Sequence, residues 1–97
     1  MTIFEKRYNC WVFLMKINVL YFAWLRERVG ESQETIETRA SSVAGLIADL
    51  QSRGENYALA FEDMSAVHAS VQQELVEFTA QIQDGDEVAF FPPMTGG

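Results

Sequence analysis

The sequence predicts an α+β domain in which one amphipathic helix lies across a single mixed sheet. Strand-like runs both precede and follow the one strongly amphipathic segment. The first and last of them, Ile17–Ala23 and Glu87–Phe91, are the most apolar. Helices gathered on one face of a sheet let both elements bury their apolar sides. The two apolar runs are then expected to pair in the middle of the sheet, an arrangement called the β-grasp.

Each element has a local reason. Ile17-Asn18-Val19-Leu20-Tyr21-Phe22-Ala23 is rich in β-branched and aromatic residues and too apolar for an edge strand with one wet face. Leu25–Val29 reads as a short helical turn stopped by Gly30. Glu34–Thr38 reads as a half-exposed strand, antiparallel to the first across a wide loop. Ser41-Ser42 can cap a helix, in which Val43, Leu46, Ile47 and Leu50 form one apolar face and Gly54 supplies the stop. Gly45 inside that helix costs about 1 kcal/mol relative to alanine, so it is expected to mark a close approach to the sheet. Asn56–Phe61 is read as a second short helix, Val67–Val71 as a third strand and Leu75–Phe78 as a fourth. Asp84-Gly85-Asp86 is a turn signal before the last strand.

A chain of 97 residues, nearly half of them apolar, is one domain with enough apolar mass for a core. The net charge of −7 argues against nucleic acid, because phosphate binding needs a basic patch. A lone cysteine, Cys10, excludes an internal disulfide framework and fits a reducing compartment. The lone histidine, His68, has no second His or Cys to share a metal with and reads as a strand or surface position. No hydrolytic constellation and no Gly-rich nucleotide loop is visible. If the chain takes part in chemistry, it does so as substrate or carrier.

Residues 1–14 differ from the rest. Lys6-Arg7 followed by the apolar run Cys10–Leu14 faintly outlines a signal peptide. Lys16 and Asn18 interrupt that run, no small-residue cleavage site follows, and the run is too short to span a membrane. The preferred reading is an N-terminal extension outside the core domain, with a start-like Met15 and a domain over 15–97. The alternative is an extra edge strand from Trp11 to Leu14.

The most informative segment is Pro92-Pro93-Met94-Thr95-Gly96-Gly97, directly after the apolar Val88-Ala89-Phe90-Phe91. Proline locks φ and biases its predecessor toward extended geometry, so the pair is expected to hold the tail away from the body. Glycine lacks a Cβ, so Gly96 and Gly97 can thread a narrow tunnel on a partner. Strand alternation adds a candidate partner-binding patch. With Val76, Phe78, Val88 and Phe90 in the core, Leu75 and Phe91 look outward, and Glu62, Asp84 and Glu87 offer a polar rim. The alternative for Phe91 is local packing on Pro93.

Asp84-Gly85-Asp86-Glu87-Val88-Ala89-Phe90-Phe91-Pro92-Pro93-Met94-Thr95-Gly96-Gly97 closely resembles the C-terminus of the molybdopterin synthase small-subunit family, which are ubiquitin-like sulfur carriers. Ile17–Ala23 followed by Leu25-Arg26-Glu27 resembles that family's opening strand and turn, and Phe61-Glu62-Asp63 also fits. Gln72 is a departure, standing where many members carry Asn. The resemblance implies that Gly97 is the reacting residue. Its carboxyl would be adenylated with ATP by an E1-like adenylyltransferase and converted to a thiocarboxylate by a sulfur donor protein. It would then give sulfur to cyclic pyranopterin monophosphate in the large subunit, where the active site would lie. Met94, Thr95 and Gly96 would thread behind it, following Pro92 and Pro93. The resemblance also implies a cytoplasmic heterotetramer with no bound cofactor, metal, nucleic acid or membrane. The rivals are a sulfur carrier of the thiamine type, a ubiquitin-like protein modifier, and a plain interaction domain that would tolerate changes at Gly97.

Overall fold

The computed structural model describes residues 14–93. The expected extension over 1–14 therefore lies outside the described residues except for Leu14, as do Met94, Thr95, Gly96 and Gly97. Five strands form one mixed sheet: β1 (Met15–Tyr21), β2 (Gln33–Thr38), β3 (His68–Val71), β4 (Glu74–Val76) and β5 (Glu87–Phe91). Their spatial order is β2-β1-β5-β3-β4. β1 and β5 run parallel in the middle, with Val19 opposite Val88 and Tyr21 opposite Phe90. All other neighbours are antiparallel. Three helices, α1 (Trp24–Val29), α2 (Val43–Gln51) and α3 (Glu55–Ala60), connect these strands, with a 3₁₀ turn at Met64–Ala66. This is the β-grasp that the sequence predicts.

The core lies on one face of the sheet. Ile17, Val19 and Tyr21 from β1, Ala69 from β3, and Val88 and Phe90 from β5 are buried against Val43, Leu46, Ile47 and Leu50 of α2 and against Leu25 and Val29 of α1. Phe90 sits between two aromatic partners. Tyr21 stacks on it at 6.3 Å and 23°, and Phe61 meets it edge-on at 5.0 Å and 78°. Such pairs add about 1 kcal/mol each beyond the area they bury.

The N-terminus of α2 is satisfied by one side chain and one strap of backbone. Ser42 Oγ accepts from the Gly45 N–H at 3.1 Å. The Val43 and Ala44 N–H groups donate to the carbonyls of Ala80 and Phe78 at 3.0 and 2.8 Å. The strap explains why β4 ends at Val76, short of the expected Phe78. Glu77 and Phe78 leave the ladder to carry a carbonyl to the helix, whose first N–H groups have no internal partner.

Three local expectations are corrected. A Cβ on Gly45 would meet the Ala40 Cβ at 3.1 Å and the Ser42 Oγ at 3.4 Å, so the glycine makes room for the preceding loop and not for the sheet. Gly54 does not end α2. The helix closes at Gln51, with the Ser52 N–H donating back to the Ala48 carbonyl, and Gly54 stands at the start of α3. β1 begins at Met15 and stops at Tyr21, because the chain turns sharply at Ala23, where φ is +56°.

One carboxylate ties three elements together. Glu34 Oε2 of β2 accepts from Tyr21 Oη of β1 and from Tyr57 Oη of α3, each at 2.8 Å. Burial, followed by the bond to Glu34, raises both phenol pKa values, and Tyr57 is pushed up to about 12. The unfolded chain therefore releases these protons first as pH rises through 10, the ordinary tyrosine value. The cluster's contribution is complete below that pH; Tyr57's part is lost between about 10 and about 12, and Tyr21's part declines over a range that reaches higher. Urea midpoints are expected to fall across that window, and Tyr57→Phe is expected to flatten the fall. A midpoint unchanged there in the parent chain would refute the cluster's role.

Candidate functional site

Among the described residues, no helix packs on the other face of the sheet. Alternation along β5 turns Val88 and Phe90 into the core, while Ala89 and Phe91 face the open side. The register extends this face sideways. Leu20 lies opposite Ala89, Ala89 opposite Ser70, and Ser70 opposite Leu75. Leu20, Phe22, Ser70, Ala89 and Phe91, with the tail root Pro92-Pro93, line a shallow, mainly apolar groove of about 560 Å³. Its small middle residues, Ala89 and Ser70, form the floor, and larger side chains stand around it. Such a surface suits the apolar side chains of another protein.

The structure places the residues singled out from the sequence as follows. Leu75 is 68% exposed and stands on the open face, as expected from alternation. Phe91 is on that face too but is half-buried. Its ring stacks on His68, directly opposite in β3, at 6.0 Å and 19°. Pro92 and Pro93 are half-buried along the groove, so the tail begins against this surface. Of the expected polar rim, only Glu87 borders the groove. Asp84 sits at the far end of β1, where its Oδ1 accepts from the Lys16 N–H at 2.7 Å. Glu62 borders a separate notch beside Trp24 and Leu59 on the helical side.

Sequence reasoning missed Leu20, Phe22, Ala23 and Gln73. Phe22 is 47% exposed beside the groove. The signal was present: Leu20 and Phe22 are two apart and alternate with the core residues Val19 and Tyr21. The expectation that β1 has no wet face obscured it. β1 is central, yet one of its faces is apolar and open.

The charge of the second half of the sequence is one-sided. After Arg53 the sequence holds no lysine or arginine, but it holds Glu55, Glu62, Asp63, Glu74, Glu77, Asp84, Asp86 and Glu87. Of these only Glu87 lines the groove, and the acidic balance of this half favours encounter with a basic partner surface. Among the described residues, no group of three His, Cys, Asp or Glu side chains is placed to hold a metal ion, and no helix is long and apolar enough to cross a membrane. The groove is mainly apolar and can bind an apolar surface, with Ser70, Gln73 and Glu87 as its polar lining.

A helix-backed mixed sheet with a central C-terminal strand and one open apolar face defines a β-grasp domain of ubiquitin type. The ThiS family matches residues 19–97. The molybdopterin synthase sulfur carrier subunit of Escherichia coli is 43% identical over 81 residues, covering 84% of this chain and 99% of that protein. A putative molybdopterin converting factor subunit 1 from Pyrococcus furiosus superposes with a TM-score of 0.67 at 30% identity, covering 81% of this chain and 98% of that one. A Helicobacter pylori chain solved in a complex of molybdopterin-converting factor subunits 1 and 2 shares the fold at a TM-score of 0.59 and 22% identity, covering 86% and 100%. The chain belongs to the ThiS family, among the molybdopterin synthase sulfur carrier subunits.

Two neighbouring phenylalanines separate stability from surface. Phe90→Ala is expected to cost about 3–5 kcal/mol, as for a fully buried aromatic. Phe91→Ala is expected to cost about 1 kcal/mol, the loss of one partly exposed stack. Urea denaturation of both variants checks this, and equal losses would place Phe91 in the core.

Proposed function

We propose that this chain carries sulfur for molybdopterin synthesis on the carboxyl group of Gly97. Family membership carries the reading, since the match runs through Gly96 and Gly97. The position of the groove supports it: a partner seated on the open face would have the tail root, Pro92-Pro93, at its own surface.

The chemistry follows from the tail. An α-carboxyl with a pKa of about 3.5 is ionised at neutral pH and can attack the α-phosphate of ATP. Pyrophosphate leaves and an acyl-adenylate forms. Sulfide released by the donor then attacks the carbonyl carbon, the acyl–AMP bond breaks, AMP leaves, and the terminus becomes a thiocarboxylate. The acid, base and metal groups for these steps would come from the adenylyltransferase, which uses ATP, and the donor protein supplies the sulfur. The loaded chain then docks on the large subunit of molybdopterin synthase and transfers sulfur to cyclic pyranopterin monophosphate. In this reading the small subunit is non-catalytic, works in the cytoplasm, and assembles with the large subunit as a heterotetramer. Met94, Thr95 and Gly96 pass behind Gly97 into each partner's tunnel, where backbone amides can be held without a side chain in the way.

Intact mass spectrometry after incubation with the adenylyltransferase, ATP and a sulfur source tests this. The expected gain corresponds to one oxygen replaced by sulfur, localised to Gly97. Gly97→Ala, or one residue added after Gly97, is expected to abolish the gain while leaving the melting temperature unchanged. Normal thiocarboxylate yield from either variant would refute the role of the terminus. Phe91→Ala and Leu75→Ala are each expected to weaken large-subunit binding about tenfold, as measured by titration calorimetry.

A further inference from the structure

Among the described residues, five adopt a positive φ: Gly30, Gly85, Ala23, Gln72 and Gln73. The two glycines have open space around them and do not border the groove. The other three are L-residues in a region that strongly favours glycine, and all three belong to the two turns that flank the groove.

The first turn leaves β1. The Phe22 carbonyl accepts from the Leu25 N–H at 3.1 Å, and Ala23 has φ +56° and ψ −133°. That is close to the first central position of a type II′ turn, where glycine is the preferred residue. The second turn is the two-residue hairpin between β3 and β4, with Val71 opposite Glu74 and φ values of +52° and +71° at Gln72 and Gln73. This is the pattern of a type I′ turn, which favours Asn-Gly. Gln72 has a structural reason to be there. Its Oε1 accepts from the Glu87 N–H at 2.6 Å, and its own N–H donates to the Glu87 carbonyl at 2.9 Å, which fixes the start of β5. No hydrogen bond among the described residues explains Ala23 or Gln73 in the same way. Both line the groove, Ala23 at the tail end and Gln73 at the end beside Glu87.

Glycine would relax both backbones, yet each position carries a side chain. We infer that Ala23 and Gln73 are specificity-determining contacts of the docking groove, held in disfavoured backbone conformations because the large subunit touches their side chains. The inference rests on the sulfur-carrier reading above and deepens it. Strained residues that the fold does not need are characteristic of binding surfaces. Two rigid turns at opposite ends of a shallow groove also reduce the ordering cost of docking.

Ala23→Gly and Gln73→Gly test this, each measured for melting temperature and for binding to the molybdopterin synthase large subunit. Each is expected to raise the melting temperature by about 4 °C and to weaken binding roughly fourfold, as for one lost methylene contact. A purely structural role moves both readouts in the same direction, whereas a docking role moves them oppositely. Higher melting temperatures with unchanged binding would overturn the inference while leaving the carrier reading intact. Unchanged or lower melting temperatures would also overturn it, because the backbone cost would be absent. If the parent chain itself does not bind the large subunit, the carrier reading fails and the inference falls with it.

Discussion

The parallel pairing of β1 with β5 is the constraint from which the rest of the molecule follows. Parallel neighbours cannot be joined by a tight turn, so a long crossover must lie between them. Among the described residues the crossover contains every other element: α1, β2, α2, α3, β3 and β4 all fall between Tyr21 and Glu87. The C-terminal strand therefore sits in the middle of the sheet, held by β1 on one side and β3 on the other. Chain ends usually fray unless tied down. The last strand is tied by the β1 ladder up to Phe90 and by the β3 ladder up to Phe91, so Pro92-Pro93 depart from a fixed point. The cost is a fold built on pairings distant in sequence, which slows folding relative to a helical bundle.

The same strand serves two purposes through its alternation. Val88 and Phe90 complete the core, and Ala89 and Phe91 complete the open face. A slip of one residue would exchange the two sets, turning Ala89 and Phe91 toward the core and Val88 and Phe90 toward the open face. Register and docking surface are therefore one property. The aromatic contacts of Phe90 with Tyr21 and Phe61 stabilise the core and, by fixing the register, also position Phe91 and the proline pair. Glu34 extends this control outward, since it holds the Tyr21 phenol from β2.

Much of this was legible in the residues. The apolar first and last strands, the spacing of Val43, Leu46, Ile47 and Leu50, and the Asp-Gly-Asp turn are local signals that tertiary packing reinforces. What was not legible depends on contacts between distant segments. The short β4 follows from a strap whose carbonyls satisfy α2, and sequence alone does not show where those carbonyls go. The role of Gly45 depends on Ala40 being folded back over it. The half-burial of Phe91 depends on His68 lying opposite it, a matter of register between strands about twenty residues apart. Ala23 and Gln73 were invisible for a different reason. A non-glycine residue at positive φ contradicts local propensity, so the rules that read turns pass over it. Such local contradictions are expected where function and not folding chose the residue.

The shallow, apolar form of the groove shapes the demands on the domain. A carrier tail must enter one active site to be loaded and another to be unloaded, so under the proposed function docking has to be specific and reversible. A deep pocket with buried charges would give tight, slow binding. A shallow groove with alanine and serine at its centre buries little area, and its affinity rests on a few side chains around the edge. The chain's net negative charge speeds encounter with a basic partner without adding a buried ion pair that would have to be broken on release. Delivery then depends on geometry. Once the open face is seated, the tail is already at the partner's surface, and presenting its carboxyl group becomes an intramolecular event. For that reason the stiffness of the proline pair and of the two strained turns matters more to this protein than strength of binding.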